Sequence, residues 1–171
     1  FQRDYDRLIF SSPFRRLQNK TQVFPFPGSV FVHNRLTHSL EVSSVGRSLG
    51  ADVARLLIPR YSGEDVVALE SISAIVSAAC LAHDLGNPPF GHEGEAAIRS
   101  FFAEGEGLYL REQLPIEVWN DITHFDGNAN TFRLLTHQFH GRRAGGFVMT
   151  YSTLAAIAKY PFSSSLATHP K

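Results

Sequence analysis

Two histidines and three carboxylates crowd into His83-Asp84-Leu85-Gly86-Asn87-Pro88-Pro89-Phe90-Gly91-His92-Glu93-Gly94-Glu95, among glycines and prolines that turn the chain. An adjacent His and Asp at the end of a helix can both face one cation, because the backbone there no longer forces neighbours onto different sides. Imidazole nitrogen and carboxylate oxygen together suit a hard or borderline divalent metal. His38 lies far off in sequence, where two packed helices could bring it to the same ion. A ligand set of His38, His83 and Asp84 leaves coordination positions for water and a substrate oxygen, which is what hydrolysis requires. His92 precedes Glu95 by three residues, so on one helical turn the carboxylate could orient the imidazole for proton transfer. The spacing fits equally well a plain helix start, with Glu93 and Glu95 at the positive end of the dipole. An isolated histidine is ordinarily a packed or surface residue, and His33, His124, His137, His140 and His169 are read that way.

The elements that must carry these groups are helical. Leu8, Phe14 and Leu17 suit short helical pieces interrupted by Pro13. Phe24-Pro25-Phe26-Pro27-Gly28 is turn chemistry, followed by Val30, Phe31 and Val32 in a brief extended arm or hairpin. Leu40, Val45, Leu49, Val53 and Leu56 recur at spacings that predict an amphipathic helix ending before Pro59, with His38 on it. Ile72, Ile75, Val76, Ala79 and Ala82 predict a second helix that breaks at Gly86 and holds His83 and Asp84 in its last turn. A third is expected from Glu93 to Phe102, and a loop at Gly105-Glu106-Gly107. Further helices are expected within 115–140, with Phe132, Leu135 and Phe139 on one face, and from Thr150 to Lys159, stopped by Pro161. The fold class is mainly α.

A chain of 171 residues with 43% apolar content is the size of one compact domain. Sixteen basic residues balance sixteen acidic ones, so bulk charge points neither to a nucleic-acid sleeve nor to an acidic tail. The lone Cys80 excludes an intrachain disulfide framework and fits a packed thiol in a reducing compartment. There is no run of about 18 consecutive apolar residues and no signal-peptide pattern, so the expectation is a cytoplasmic protein that does not enter a membrane. The start at Phe1 rather than methionine, and the stop at Pro170-Lys171, lead us to expect a piece of a longer chain.

Four motifs in order resemble the HD-domain superfamily, and more narrowly the bacterial deoxyguanosine triphosphate triphosphohydrolases. Residues 14–23, FRRLQNKTQV, look like that family's opening motif, and 33–42, HNRLTHSLEV, resemble the segment bearing its first metal histidine. Residues 83–92, HDLGNPPFGH, resemble the signature that names the superfamily, and 125–129, FDGNA, look like a later active-site loop. The resemblance implies an HD-domain helical bundle over 1–171, with a short extended or hairpin segment near 24–33, forming a single domain truncated on its C-terminal side. It implies a divalent metal, Mg, Mn or Fe, on His38, His83 and Asp84, with His92 and Glu95 as the catalytic pair. It would place Arg35 at the substrate phosphates, Gln22 on the deoxyribose, and Val23 where a ribose carries its 2′-hydroxyl. The implied reaction is attack on the α-phosphorus of a deoxynucleoside triphosphate, releasing triphosphate, in a homo-oligomer.

One feature departs from the family. Its metal site is completed by a downstream aspartate, whereas Asp121 and Asp126, the aspartates after Asp84, sit in no matching context. Two alternatives therefore stand: an HD-type enzyme acting on another phosphorylated nucleotide, and a non-catalytic module binding nucleotide or single-stranded nucleic acid, for which Arg142-Arg143 is the basic group.

Overall fold

The computed structural model describes residues 1–20, 34–141 and 144–166. Gln22, Val23, the segment expected to be extended near 24–33, and Arg142-Arg143 lie outside these residues. Among the described residues the regular structure is helical, with no strand element, as the scarcity of alternating β-branched runs implies.

The chain opens with α1 (Gln2–Ile9) and α2 (Ser12–Arg16), continued by one 3₁₀ turn, Leu17–Asn19. Ser11 caps α2 by accepting from Phe14 N, and Pro13 stands in the first turn, where a missing N–H costs nothing. Pro13 thus opens a helix rather than merely interrupting one. Leu8, Phe14 and Leu17 are all buried and form the core with Ala78, Leu81, Ala82, Leu85, Leu135 and Met149.

α3 (Arg35–Leu57) begins at an Asn34/Thr37 capping box, in which Asn34 Oδ1 accepts from Thr37 N. It ends before Pro59, as expected, but its buried face is not the expected one. Val45, Leu49, Val53 and Leu56 are exposed, as is Leu40, whereas Ser39, Ser43, Gly46, Gly50 and Ala54 face inward. The reason is the neighbour. α4 (Glu64–Glu70) leads into α5 (Ile72–Ala82), which runs antiparallel to α3 and approaches it closely. A Cβ added at Gly50 would stand 2.9 Å from Ser73 Cα, and one at Gly46 2.6 Å from Cys80 Sγ. Only small residues permit this approach, which Ser43 Oγ seals by donating to Ser77 O.

The stretch Glu64–Ala82, 19 residues with mean hydropathy 1.7, is long and apolar enough by length and composition to cross a membrane. Its side toward α1 and α3 carries Ser77, Ala78, Leu81 and Ala82, all buried, while Glu64–Glu70 has no buried residue.

α5 ends at Ala82, so His83 is its C-cap and Asp84 lies just beyond rather than in the last turn. The connection reverses sharply at Phe90, whose φ of 66° is an uncommon conformation for a bulky side chain, and α6 (Gly91–Ala103) starts at once. The loop expected at 105–107 is the entry to a 3₁₀ segment, Glu106–Glu112. α7 (Ile116–Thr123) and α8 (Gly127–Thr136) follow, the latter capped by Asp126, which accepts from Asn128 N and Ala129 N. α8 stops before Phe139, so the expected face splits: Leu135 is buried, while Phe132 and Phe139 are exposed.

α9 (Tyr151–Ile157) closes the bundle. Its N-terminus is tied to α1 by the fully buried Asp4, whose Oδ2 accepts from Thr150 N (3.1 Å), Thr150 Oγ1 (2.6 Å) and Thr153 Oγ1 (2.9 Å). Burial works to raise the Asp4 pKa, but these hydroxyl and amide bonds outweigh it and hold the carboxyl below its ordinary value.

Candidate active site

Because α3 and α5 run antiparallel, the first turn of α3 and the end of α5 lie together. His38 and His83 meet there with ring centroids 5.2 Å apart, and one ligand atom from each of His38, His83 and Asp84 falls within 4.8 Å of the others. His83 Nδ1 lies 2.7 Å from the carbonyl oxygen of Cys80. A carbonyl only accepts, so Nδ1 carries a proton and Nε2 is the ring nitrogen turned to the cluster, 3.4 Å from Asp84 Oδ1. Two imidazole nitrogens and a carboxylate oxygen around one point fit a divalent metal, with the backbone carbonyl fixing the tautomer as an outer partner does.

Asp84 is buried and held from two sides. Arg35 Nη1 donates to Oδ2 at 2.7 Å and Asn87 Nδ2 to Oδ1 at 2.5 Å, which leaves each oxygen a further lone pair for an ion. Arg35 is 3% exposed, its Nη2 reaches Pro88 O at 3.5 Å, and its Nε has no acceptor among the described residues. The resemblance would place Arg35 at the substrate phosphates; here one of its guanidinium nitrogens holds Asp84. Lys20 is half-buried nearby, and its Nζ donates to Asn87 O at 2.8 Å. Burial and the Arg35 charge lower the Lys20 pKa, with Asp84 opposing.

His92 and Glu95 do meet across one turn of α6: Nδ1 to Oε2 is 3.0 Å. The histidine side chain is 94% exposed and the glutamate buried, so the imidazole offers its other nitrogen to solvent from a fixed base. Glu95 Oε1 accepts from Gly127 N at 2.7 Å. Burial alone would raise the Glu95 pKa; the bonds from His92 and the Gly127 amide, with the charges of His92 and Arg99, bring it below the ordinary range. The ionised carboxylate is the form that orients an imidazole.

Asn87, Lys20 and the α8 residues Asn130 and Thr131 hold this site without having been singled out for that work. Asn87 follows Asp84 by three residues, a spacing that could have revealed it. Thr131 carries no local signal, since only the packing of α8 brings it to Gly86. Asp121 and Asp126 join no metal cluster among the described residues: the first accepts from Ser164 Oγ, and the second caps α8. Beside His83 a groove of about 410 Å³ opens between α5 and α9, walled by Val76, Ala79, Ala156 and Ile157.

The chain has relatives by sequence. A deoxyguanosinetriphosphate triphosphohydrolase-like protein of Pseudomonas aeruginosa is 46% identical over 167 residues, covering 96% of this chain and 37% of the relative. One from Synechocystis sp. is 47% identical over 180 residues, covering 99% and 40%. The deoxyguanosinetriphosphate triphosphohydrolase of Yersinia enterocolitica is 36% identical over 191 residues, covering 94% and 36%. The chain therefore spans little more than a third of the length of these curated relatives. The HD domain matches residues 35–142, which run from the arginine beneath Asp84 past the end of α8 and so take in the histidines, the carboxylates and the helices that bring them together; the chain belongs to the HD domain family.

Proposed function

We propose that this chain carries the metal and proton-transfer residues of a phosphohydrolase that cleaves deoxynucleoside triphosphates, dGTP among them, into deoxynucleoside and triphosphate. The observation that carries the reading is the convergence of His38, His83 and Asp84 ligand atoms within 4.8 Å. The names of the similar proteins supply the substrate class. A divalent ion, Mg, Mn or Fe, held by these three residues would supply charge stabilisation at the phosphoryl oxygens.

The chain's own groups do the rest. Water attacks the α-phosphorus, the bond to the 5′-oxygen breaks, and the departing oxygen needs a proton. His92, held through Nδ1 by Glu95, presents Nε2 as the proton-transfer atom. Arg35 is kept as the contact to the substrate phosphates: one of its N–H donors fixes Asp84, and its Nε has no acceptor among the described residues. Gln22 is retained as the deoxyribose contact and Val23 as the residue opposing a 2′-hydroxyl. Assembly into a homo-oligomer belongs to the same reading.

The test is product analysis. Incubated with dGTP and Mn²⁺, a full-length protein carrying this chain should yield deoxyguanosine and triphosphate, and His38→Ala or Asp84→Ala should lower the rate at least a hundredfold, or about 3 kcal/mol. Monophosphate and pyrophosphate as products would reject cleavage at the nucleoside side of the α-phosphorus.

A further inference from the structure

We propose that Thr131 and Asn130, through their bonds to the Gly86 backbone, are positioning residues that make α8 a bracket for both halves of the site, the metal-ligand turn and the His92–Glu95 pair. The inference rests on the reading of His38, His83 and Asp84 as metal ligands.

Gly86 stands two residues after Asp84, and α8 claims both its backbone polar atoms. Its N–H donates to Thr131 Oγ1 at 2.9 Å, and its carbonyl accepts from Asn130 Nδ2 at 2.9 Å. Thr131 is fully buried, and its hydroxyl donates back to Gly127 O at 3.0 Å, with His83 O at 3.3 Å. One hydroxyl thus touches the backbone on both sides of Asp84. There is no slack between turn and helix: a Cβ at Gly86 would fall 2.1 Å from Thr131 N and 2.4 Å from Gly127 O. The next residue, Asn87, is the one whose amide holds Asp84 Oδ1. A path of two hydrogen-bonded steps joined by the Gly86–Asn87 peptide link therefore runs from Thr131 and Asn130 to the carboxylate.

The same helix start reaches the other pair. Gly127 N donates to Glu95 Oε1, and Glu95 Oε2 holds His92. A shift of the first turn of α8 would move the metal-ligand turn and the proton-transfer pair together. Groups that orient ligands from one shell out are commonly worth tenfold or more in metal affinity. A residue that only fills space would lower thermal stability and leave the affinity of the folded molecules unchanged.

Mn²⁺ binding followed by electron paramagnetic resonance separates the two, with helical content checked by circular dichroism. Thr131→Val keeps the volume and removes the acceptor for Gly86 N, and it should weaken Mn²⁺ binding about tenfold. Thr131→Ser restores the hydroxyl and should bind within about twofold of the unaltered chain, by the same reasoning. Asn130→Ala, at a half-buried position, carries the test if Thr131→Val fails to fold, and should weaken binding several-fold. Mn²⁺ affinity equal to that of the unaltered chain in folded Thr131→Val, or in Asn130→Ala where the valine variant does not fold, overturns the proposal. His83→Ala distinguishes the underlying reading: if it binds Mn²⁺ as the unaltered chain does, the metal assignment fails and the inference falls with it. Loss of binding in His83→Ala together with no loss in Thr131→Val rejects only the bracket.

Discussion

Asp84 shows how far a buried carboxylate depends on the groups packed around it. Its burial is tolerable because Arg35 and Asn87 each give it a hydrogen bond, and removing one partner from such a buried pair is commonly worth about 3–5 kcal/mol. The pairing of His83 with Asp84 stood out in the sequence because an adjacent His and Asp before a glycine and proline turn is an unusual pattern. The burial of Arg35 did not, since an arginine in the first turn of a helix can turn either way, and only the packing of α3 against the 84–88 turn decides. Asp4 offers a test at this scale. Its pKa is depressed in the folded state, so its contribution to stability is present above the ordinary aspartate range and is lost as pH falls through the lower folded value. Urea midpoints measured from pH 6 to pH 2 should therefore fall more steeply for the unaltered chain than for Asp4→Asn. The variant should already be weaker by about 1–3 kcal/mol at pH 6, having lost acceptors for Thr150 and Thr153.

At the scale of elements, periodicity located helices well and faces poorly. α3, α5, α6 and α9 lie close to where the apolar spacing and the prolines put them, because breakers and caps act locally. The inward face of α3 is not the side of its larger apolar residues, because the closeness of α5 demands the smallest ones there. The distinction is measurable. Gly50→Ala sets a Cβ 2.9 Å from backbone that cannot swing aside, and should cost about 1–3 kcal/mol of unfolding free energy. Leu49→Ser, one residue away and 59% exposed, should change it by no more than about 0.5 kcal/mol. Equal losses in the two denaturation curves would contradict the packing.

Across the whole molecule, the core is shared by α1, α2, α5, α8 and the segment around Met149, while the outer stripe of α3 stays open. Val45, Leu49, Val53 and Leu56 are the sort of apolar row that a hydrophobic dye detects. The folded chain should therefore enhance the fluorescence of an anilinonaphthalene sulfonate, and the double change Leu49→Lys, Val53→Lys should reduce that signal at unchanged helical content. An undiminished signal would place the dye elsewhere.

The meshing of Gly46 and Gly50 with α5 has one more consequence. The two helices bear on each other like the scales of a vernier, with His38 near the start of one and His83 just past the end of the other. A slip of one helical turn would slide the histidines about 5.4 Å apart, a displacement larger than the 4.8 Å within which the three ligand atoms now lie. The smallest residues of α3 thus act as a spacer: by letting α5 come close in the present setting, they govern the aperture between two side chains remote from themselves.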